Sequence, residues 1–317
     1  MIVHHEYREE AMTRMGTLLL ILLNLVTSFG VAQITITRTE RLDLPRSNSW
    51  SHPQFSPSGN LIYFTNIDGD GIWEYSPATK TIRQITADAK SGLAFDLSAD
   101  GTSIIYRRTQ YDRLGRTRTQ DVVLMDLGRL SQNVVASGSD LPTPTFSENA
   151  PVYSRKSKIE KLPKTASVNA VTILGIEDTK IAINVNGIKV LLDPLGAGSY
   201  IWPALSPDKQ QIVAYEMDRG AFVCSPRGVL ISRLGRRDAP SWARSGRWIV
   251  YMDDKDDGHK LLSSDIFAVS PDGKSVSQLT ATTGVLEMYP QCSPTENRIV
   301  CSTSDGTILV LEYEERQ

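Results

Sequence analysis

One short motif recurs six times along this chain, and it limits the possible folds more than any other feature does. Each copy reads proline or a bulky residue, any residue, a large apolar residue, a small residue, and then turn-forming residues. The copies begin 37 to 59 residues apart, at 53–59, 95–101, 144–147, 203–208, 240–246 and 290–294. A repeat of this length is one supersecondary unit that buries its apolar face only against neighbouring units. The sequence therefore predicts a repeat architecture rather than unrelated domains.

Each repeat contains the pattern of four short β-strands separated by turns. In the first repeat, Ser-Pro-Ser-Gly at 56–59 favours a type I turn, because serine and proline suit its first positions and glycine accepts a positive φ. The runs 61–64, 72–75 and 81–86 are rich in β-forming residues. No segment after residue 32 that is longer than a turn has apolar residues at helical spacing. The pattern predicts an all-β, six-bladed β-propeller of four-stranded blades.

The two ends of the repeat array complement each other. The last repeat supplies only three strand-like runs, and residues 34–44 form a lone strand-like run at the other end. We expect residues 34–44 to become the outer strand of the last blade. This pairing closes the ring and leaves no open sheet edge between blades.

The fifth repeat indicates a family. It reads DIFAV at 265–269, SPDGK at 270–274 and QLT at 278–280. This unit resembles the WD-like repeat of the TolB-type six-bladed propellers, and the resemblance covers roughly residues 34–317. It implies the propeller fold and a periplasmic setting. We expect no room in this sequence for the N-terminal α/β domain of that family, so the resemblance does not by default imply a role in envelope import.

The N-terminus has the pattern of an export signal. Residues 17–29 are strongly apolar, too short to span a bilayer comfortably, and Gly30-Val31-Ala32 forms a small-x-small cleavage pattern. We expect residues 1–32 to be a signal peptide, with Met12 or Met15 as the true start. Residues 33–317 then form a single propeller domain that is periplasmic or secreted, with no stable membrane span after cleavage. The alternative is an uncleaved N-terminal anchor.

Charge and cysteine content exclude two further classes. With 34 basic and 36 acidic residues, the net charge of -2 argues against a general nucleic-acid binder, which needs a basic surface. Three cysteines cannot form a disulfide framework. Cys292 and Cys301 flank a tight turn in the last repeat, so they either face each other as a disulfide or remain as thiols.

The residue before the proline position of each repeat begins an innermost strand. These six residues should ring one mouth of the central channel: His52, Ala94, Thr143, Trp202, Ala239 and Tyr289. Aromatic faces and polar tips at a concave mouth suit a ligand. We therefore predict ligand contacts from His52, Thr143, Trp202 and Tyr289. The alternative is that the aromatic rings only pack between blades.

An acidic loop in the fifth repeat is the candidate metal site. Asp253, Asp254, Asp257 and His259 lie close together in the sequence, and Ca²⁺ takes six to eight oxygen ligands. The spacing does not match an EF-hand, and a solvated loop held open by its own charge is the alternative. No other cofactor is expected.

No residue set in the sequence amounts to a catalytic constellation. The Gly-x-Ser-x-Gly turn of a serine hydrolase is missing, and four histidines are too few for a histidine-rich metal centre. We predict an exported, non-catalytic module, not an enzyme, that binds a protein or peptide at the cell envelope. The alternative is glycan or small-ligand binding, or a metal-assisted enzyme, at the channel mouth. The oligomeric state does not follow from the sequence.

Overall fold

Antiparallel β-sheet makes up almost all the regular structure of the chain. The computed structural model describes residues 33–316, apart from 113, 116, 148, 153, 156, 157 and 160–170. Within these residues there is one short 3-10 helix, Ser91–Leu93, and no α-helix. The predicted all-β class is confirmed. The signal-peptide prediction for residues 1–32 lies outside the described residues.

The strands follow the repeats along the chain. The first thirteen are β1 Gln33–Arg41, β2 Trp50–Phe55, β3 Ile62–Asn66, β4 Ile72–Ser76, β5 Thr81–Thr86, β6 Phe95–Leu97, β7 Ser103–Tyr111, β8 Arg118–Asp126, β9 Ser131–Gly138, β10 Thr145–Ser147, β11 Ala150–Val152, β12 Ser154–Arg155 and β13 Lys158–Ile159. The others are β14 Val171–Glu177, β15 Lys180–Val185, β16 Ile188–Leu192, β17 Tyr200–Leu205, β18 Ile212–Glu216, β19 Gly220–Cys224, β20 Leu230–Gly235, β21 Asp238–Trp242, β22 Ile249–Asp256, β23 Leu261–Val269, β24 Val276–Gln278, β25 Glu287–Cys292, β26 Arg298–Thr303 and β27 Ile308–Arg316.

Five of the six blades are four-stranded sheets, and in four of these the strands lie in chain order from the channel outward. Blade one is β2–β5, blade two β6–β9, blade four β17–β20 and blade five β21–β24. Blade six has the order β1-β27-β26-β25, so the N-terminal strand is its outermost strand. The Thr37 hydroxyl donates to the Glu312 carbonyl across this seam at 3.3 Å, and Leu42 N donates to Ile308 O at 3.0 Å. The predicted ring closure is confirmed.

Blade three departs from the four-stranded pattern. Its inner strand β10 pairs with β11, and β14, β15 and β16 form a separate three-stranded sheet. The Ser147 and Thr172 hydroxyls are hydrogen-bonded at 3.2 Å, which joins β10 to β14. Asn184 Nδ2 also donates to Ser147 Oγ, at 3.4 Å. The longest spacing between repeats in the sequence corresponds to this irregular blade.

The hydrophobic core consists of layers between blades rather than one central mass. Alternate residues of a strand point to opposite faces of its sheet, so each blade packs against both neighbours. Ile62 and Phe64 of β3 contact blade six, whereas Tyr63 contacts blade two. Six such clusters occur among the described residues, one for each interface of a six-bladed ring. Residues Ile34–Glu315 form one compact unit.

A repeated serine organises the turn after the inner strand in blades one, two and four. Gly59 N donates to Ser56 O at 2.8 Å, and Gly59 takes φ +74, as the type I turn with a following glycine predicts. The Ser56 hydroxyl also accepts Leu61 N at 3.1 Å, which fastens the turn to the second strand. Blades two and four use Ser98 and Ser206 in the same way, and in blade five Ser270 does so in the turn after the third strand. The turn residues thus fix where these strands end.

Candidate functional site: the channel mouth

A backbone bulge is repeated where four of the inner strands begin. His52, Trp202, Ala239 and Tyr289 have φ between +47 and +54, and each precedes the proline of its repeat. The strand register shifts at all four places. A bulge redirects a side chain, and a non-glycine residue with positive φ costs of order 1–3 kcal/mol. Strain of this kind clusters at functional sites, so these four positions mark a candidate site.

One cavity of about 440 Å³ lies where the six blades meet. All six residues that the sequence placed around the channel mouth line it. Its other lining residues are Pro53, Gln54, Gly92, Leu93, Phe95, Pro203, Ala204, Pro240, Ser241, Pro290 and Gln291. We call this space the mouth cavity. The structure therefore brings His52, Thr143, Trp202 and Tyr289 together. Leu93, which the sequence analysis did not predict, belongs to no repeated position.

Aromatic rings form opposite parts of the cavity wall. His52 and Tyr289, from blades one and six, stack with ring centroids 4.1 Å apart. His52 Nδ1 lies 2.9 Å from Ser51 Oγ, and burial lowers the pKa of His52, so its ring is uncharged at neutral pH. Trp202 packs edge-on against Tyr215 at 5.7 Å and remains 38% exposed. The wall thus offers both a fixed aromatic pair and an accessible indole.

The second residue of the repeat ties neighbouring blades together around the cavity. Gln291 Oε1 accepts Phe55 N at 2.9 Å, and Ser241 Oγ accepts Cys292 N at 3.0 Å. Asp96 Oδ2 accepts Phe146 N at 2.8 Å in the same manner. Each bond joins a blade to the apolar residue of the next repeat. The mouth cavity therefore has a wall held by inter-blade hydrogen bonds.

A pair of buried carboxyl groups lies behind the wall on blade five. Burial, followed by the neighbouring Asp254, raises the pKa of Asp238 to about 7. The Asp254 carboxyl acts to raise the pKa of Asp238, whereas Arg236 and the Tyr215 hydroxyl act to lower it. Arg236 lies 3.6 Å from Asp238 and 3.1 Å from Asp256. A second carboxylate nearby disfavours ionisation of Asp238.

The structure does not bring the four candidate metal ligands together. Asp253 is paired across the sheet with Asp265, and Asp254 points to the other face, where Arg236 lies 3.4 Å away. Asp257 Oδ1 accepts the backbone N–H groups of His259 and Lys260, both at 2.9 Å. No group of three or more potential ligands is arranged to hold a metal ion in the part of the chain that the structure describes. Strand alternation separates residues that are adjacent in sequence, so these residues do not fit a calcium site.

Of the two alternatives for Cys292 and Cys301, the structure has free thiols and no disulfide. Cys292 pairs across the hairpin with Ile299, and Cys301 pairs with Leu309 on the other side. All three cysteines are free and buried. Burial raises the pKa of the Cys292 thiol to about 12. The register, which the sequence of the turn did not reveal, places both thiols in the core between blades five and six.

Comparisons with known proteins support the fold. No protein-family model matches the sequence, and no curated protein matches it either. The structure is similar to that of TolB from Acinetobacter baumannii, with a TM-score of 0.54 at 16% identity, covering 77% of this chain and 57% of that one. The chain thus spans little more than half the length of that TolB chain.

Two further solved structures are similar. The Cps50 (Swd1) β-propeller domain of Myceliophteria thermophila has a TM-score of 0.60 at 11% identity, covering 87% of this chain and 99% of that one. An oligogalacturonate lyase from Vibrio parahaemolyticus has a TM-score of 0.47 at 12% identity, covering 82% and 76%, which is too low to carry an argument. Identities this low show a shared propeller fold and nothing about function. In the described part of the chain, no helix is both long and apolar enough to cross a bilayer.

Proposed function

We propose that this protein is a non-catalytic interaction module that holds a segment of a protein or peptide partner in its mouth cavity. The observation that carries the proposal is the convergence of six repeat positions, four of them in strained backbone, on one cavity. Rigid strands place the wall, and the loops that vary between blades surround it. Variable loops carried by a rigid scaffold are typical of recognition surfaces.

The face around the mouth cavity also exposes apolar side chains. In an antiparallel blade, the loop between the second and third strands lies at the end where the first strand begins. Ile67 and Met217, on such loops of blades one and four, are 62% and 56% exposed. Leu93 lines the cavity and covers Gly69, where a Cβ would lie 2.3 Å from Leu93 Cγ. Exposed apolar groups next to a concave site are typical of protein-binding surfaces.

We propose that the module works outside the cytoplasm, at the cell envelope. The support is the apolar run at 17–29 and the small residues that follow it. Fusion of residues 1–40 to alkaline phosphatase, which is active only after export, tests this. Inactive fusions with an intact apolar run would contradict it.

Selection of peptides from a random phage-displayed library, followed by affinity measurement, tests the binding function. We expect selected peptides to lose at least about tenfold in affinity when Trp202 is replaced by alanine, because exposed tryptophans in concave sites are common hot spots. Val276→Ala on the outer strand of blade five is the matched control, since Val276 is also exposed and lies on the outermost strand.

The other outcomes have distinct meanings. Peptides that bind Trp202→Ala as tightly as the parent would refute the mouth cavity as the site. Failure to select any peptide, together with binding of neutral envelope oligosaccharides from an array, would favour the glycan-binding alternative, because aromatic rings at a concave mouth also suit sugars.

A further inference from the structure

The side chains that line the mouth cavity share one property. Of the seventeen described residues that form its wall, none is an aspartate, glutamate, lysine or arginine. The single titratable ring that can gain a positive charge near neutrality is His52, and burial lowers its pKa. An ion that enters such a site loses water without gaining a counter-charge, which is costly.

Two acidic residues lie next to wall residues in the sequence. Asp96 directly follows Phe95 of the wall, and Asp238 directly precedes Ala239. Burial raises the pKa of both carboxyls. Arg236, the cation beside Asp238, lies within 4 Å of the carboxyl groups of Asp238, Asp254 and Asp256. These groups therefore offer an anion in the cavity no counter-charge.

The polar atoms of the wall are largely committed to the fold. Gln291 Oε1 accepts Phe55 N, and Ser241 Oγ accepts Cys292 N. The accessible apolar surface of the wall comes mainly from Trp202 and Leu93, which are exposed, and from the half-buried, stacked His52 and Tyr289. Apolar and aromatic groups of a ligand gain most from such a surface.

We infer that the mouth cavity selects an uncharged aromatic or aliphatic group and rejects anionic ones. This inference rests on the proposed function and names its ligand class: the partner inserts a neutral, apolar side chain, and acidic peptides and acidic glycans are excluded. Trp202 and the His52–Tyr289 pair supply contact area, and the absence of charge in the described wall supplies selectivity.

Three probes with one ring and different charges test the inference. They are N-acetyltryptophanamide, which is neutral, N-acetyltryptophan, an anion, and tryptophanamide, a cation. Binding to the ¹⁵N-labelled protein is followed by NMR through the indole Nε1–H signal of Trp202, which a Trp202→Phe spectrum identifies among five tryptophans. We expect the neutral probe to bind about tenfold more tightly than either charged probe, the order of selectivity that an unpaired ion in an apolar site imposes.

A charge added to the wall gives the complementary test. Thr143 is exposed and lines the cavity, so Thr143→Lys introduces a cation without disturbing the core. We expect this variant to bind the anionic probe several-fold more tightly, while Thr143→Gln, its uncharged control, retains the original preference. Unchanged melting temperatures and spectra verify that the variants fold.

Two results would overturn the inference. The first is equal or tighter binding of a charged probe to the parent protein. The second is no shift of the Trp202 signal with any probe, which would refute the aromatic assignment while leaving peptide selection as a separate test of the proposed function.

Discussion

Replacing Asp254 with asparagine should weaken the pH dependence of stability between about pH 4 and about pH 7, because the Asp254 carboxyl is one of the causes of the raised pKa of Asp238. In the parent protein, burial and the nearby Asp254 carboxyl raise the pKa of Asp238 from 3.8 to about 7, so the folded chain holds the Asp238 proton more tightly than the unfolded chain does. The unfolded chain releases this proton near the lower value, and the folded chain keeps it until the upper one. The stabilisation is therefore complete below the unfolded pKa and is lost as the pH rises through the folded pKa.

The structure sets the size of the effect. A pKa difference of this size corresponds to about 4 kcal/mol at most, because each tenfold change in proton affinity is worth about 1.4 kcal/mol. Arg236 compensates part of the charge of Asp238. We therefore expect the free energy of unfolding of the parent protein to fall by about 2 kcal/mol across the window, and that of Asp254→Asn to fall by clearly less, with the remainder due to the burial of Asp238.

Urea unfolding at about pH 5 and about pH 8, followed by tryptophan fluorescence, measures the difference. Asp253→Asn is the matched control, because it removes the same charge from the next residue, which faces the other side of β22 and pairs with Asp265. Its pH dependence should equal that of the parent. Parallel curves for the parent and Asp254→Asn would refute the contribution of Asp254 to the raised pKa of Asp238.

Three further substitutions or reactions test the packing of the ring. Gln291→Ala should lower the free energy of unfolding by about 1–3 kcal/mol, because it leaves the backbone N–H of Phe55 in the next blade without its acceptor. Gln54→Ala, at the same repeat position, should lower the free energy of unfolding far less. Equal losses for the two variants would contradict this role of Gln291. The three cysteine thiols should react with Ellman's reagent only after unfolding, since burial raises their pKa values. Fewer than three reactive thiols in the unfolded, unreduced protein would reveal a disulfide. Gly306→Ala should lower the melting temperature more than Gly284→Ala does. Both glycines have φ +77, so the backbone strain is the same, but only at Gly306 would the new Cβ lie 2.5 Å from Ser49. Equal decreases in melting temperature would refute the clash with Ser49.

The fold was predictable because each repeat contains residues that favour its own turns and strands. The Ser-Pro-x-Gly turn at 56–59 and the strand runs that follow were readable from local chemistry alone, and six copies implied a ring. Blade three was less predictable, since β14–β16 form a sheet separate from β10 and β11. Its repeat carries the proline and the small serine but not the turn that should follow them.

The position of the mouth residues was also predictable, but the backbone conformations and inter-blade hydrogen bonds that hold them in place were not. Residues before proline normally take extended conformations, so the positive φ of Trp202 and Tyr289 contradicts local preference. The ties from Gln291 and Asp96 join different repeats, and no single repeat contains that information. The acidic loop was predicted to bring candidate metal ligands together, but residues that are adjacent in sequence alternate between the two faces of a strand.

The seam between β1 and β27 has a consequence for how the protein is made. The Thr37–Glu312 hydrogen bond joins residues 275 positions apart, so the first strand has no pairing partner until the last strand has been synthesised. At about 5–20 residues per second, that wait is roughly 15–60 s during translation. Through this period the nascent chain carries two unsatisfied sheet edges, which are templates for aggregation. The seam makes assembly of the ring the final event of biosynthesis, and any chain that stops before β27 leaves its first strand without a partner.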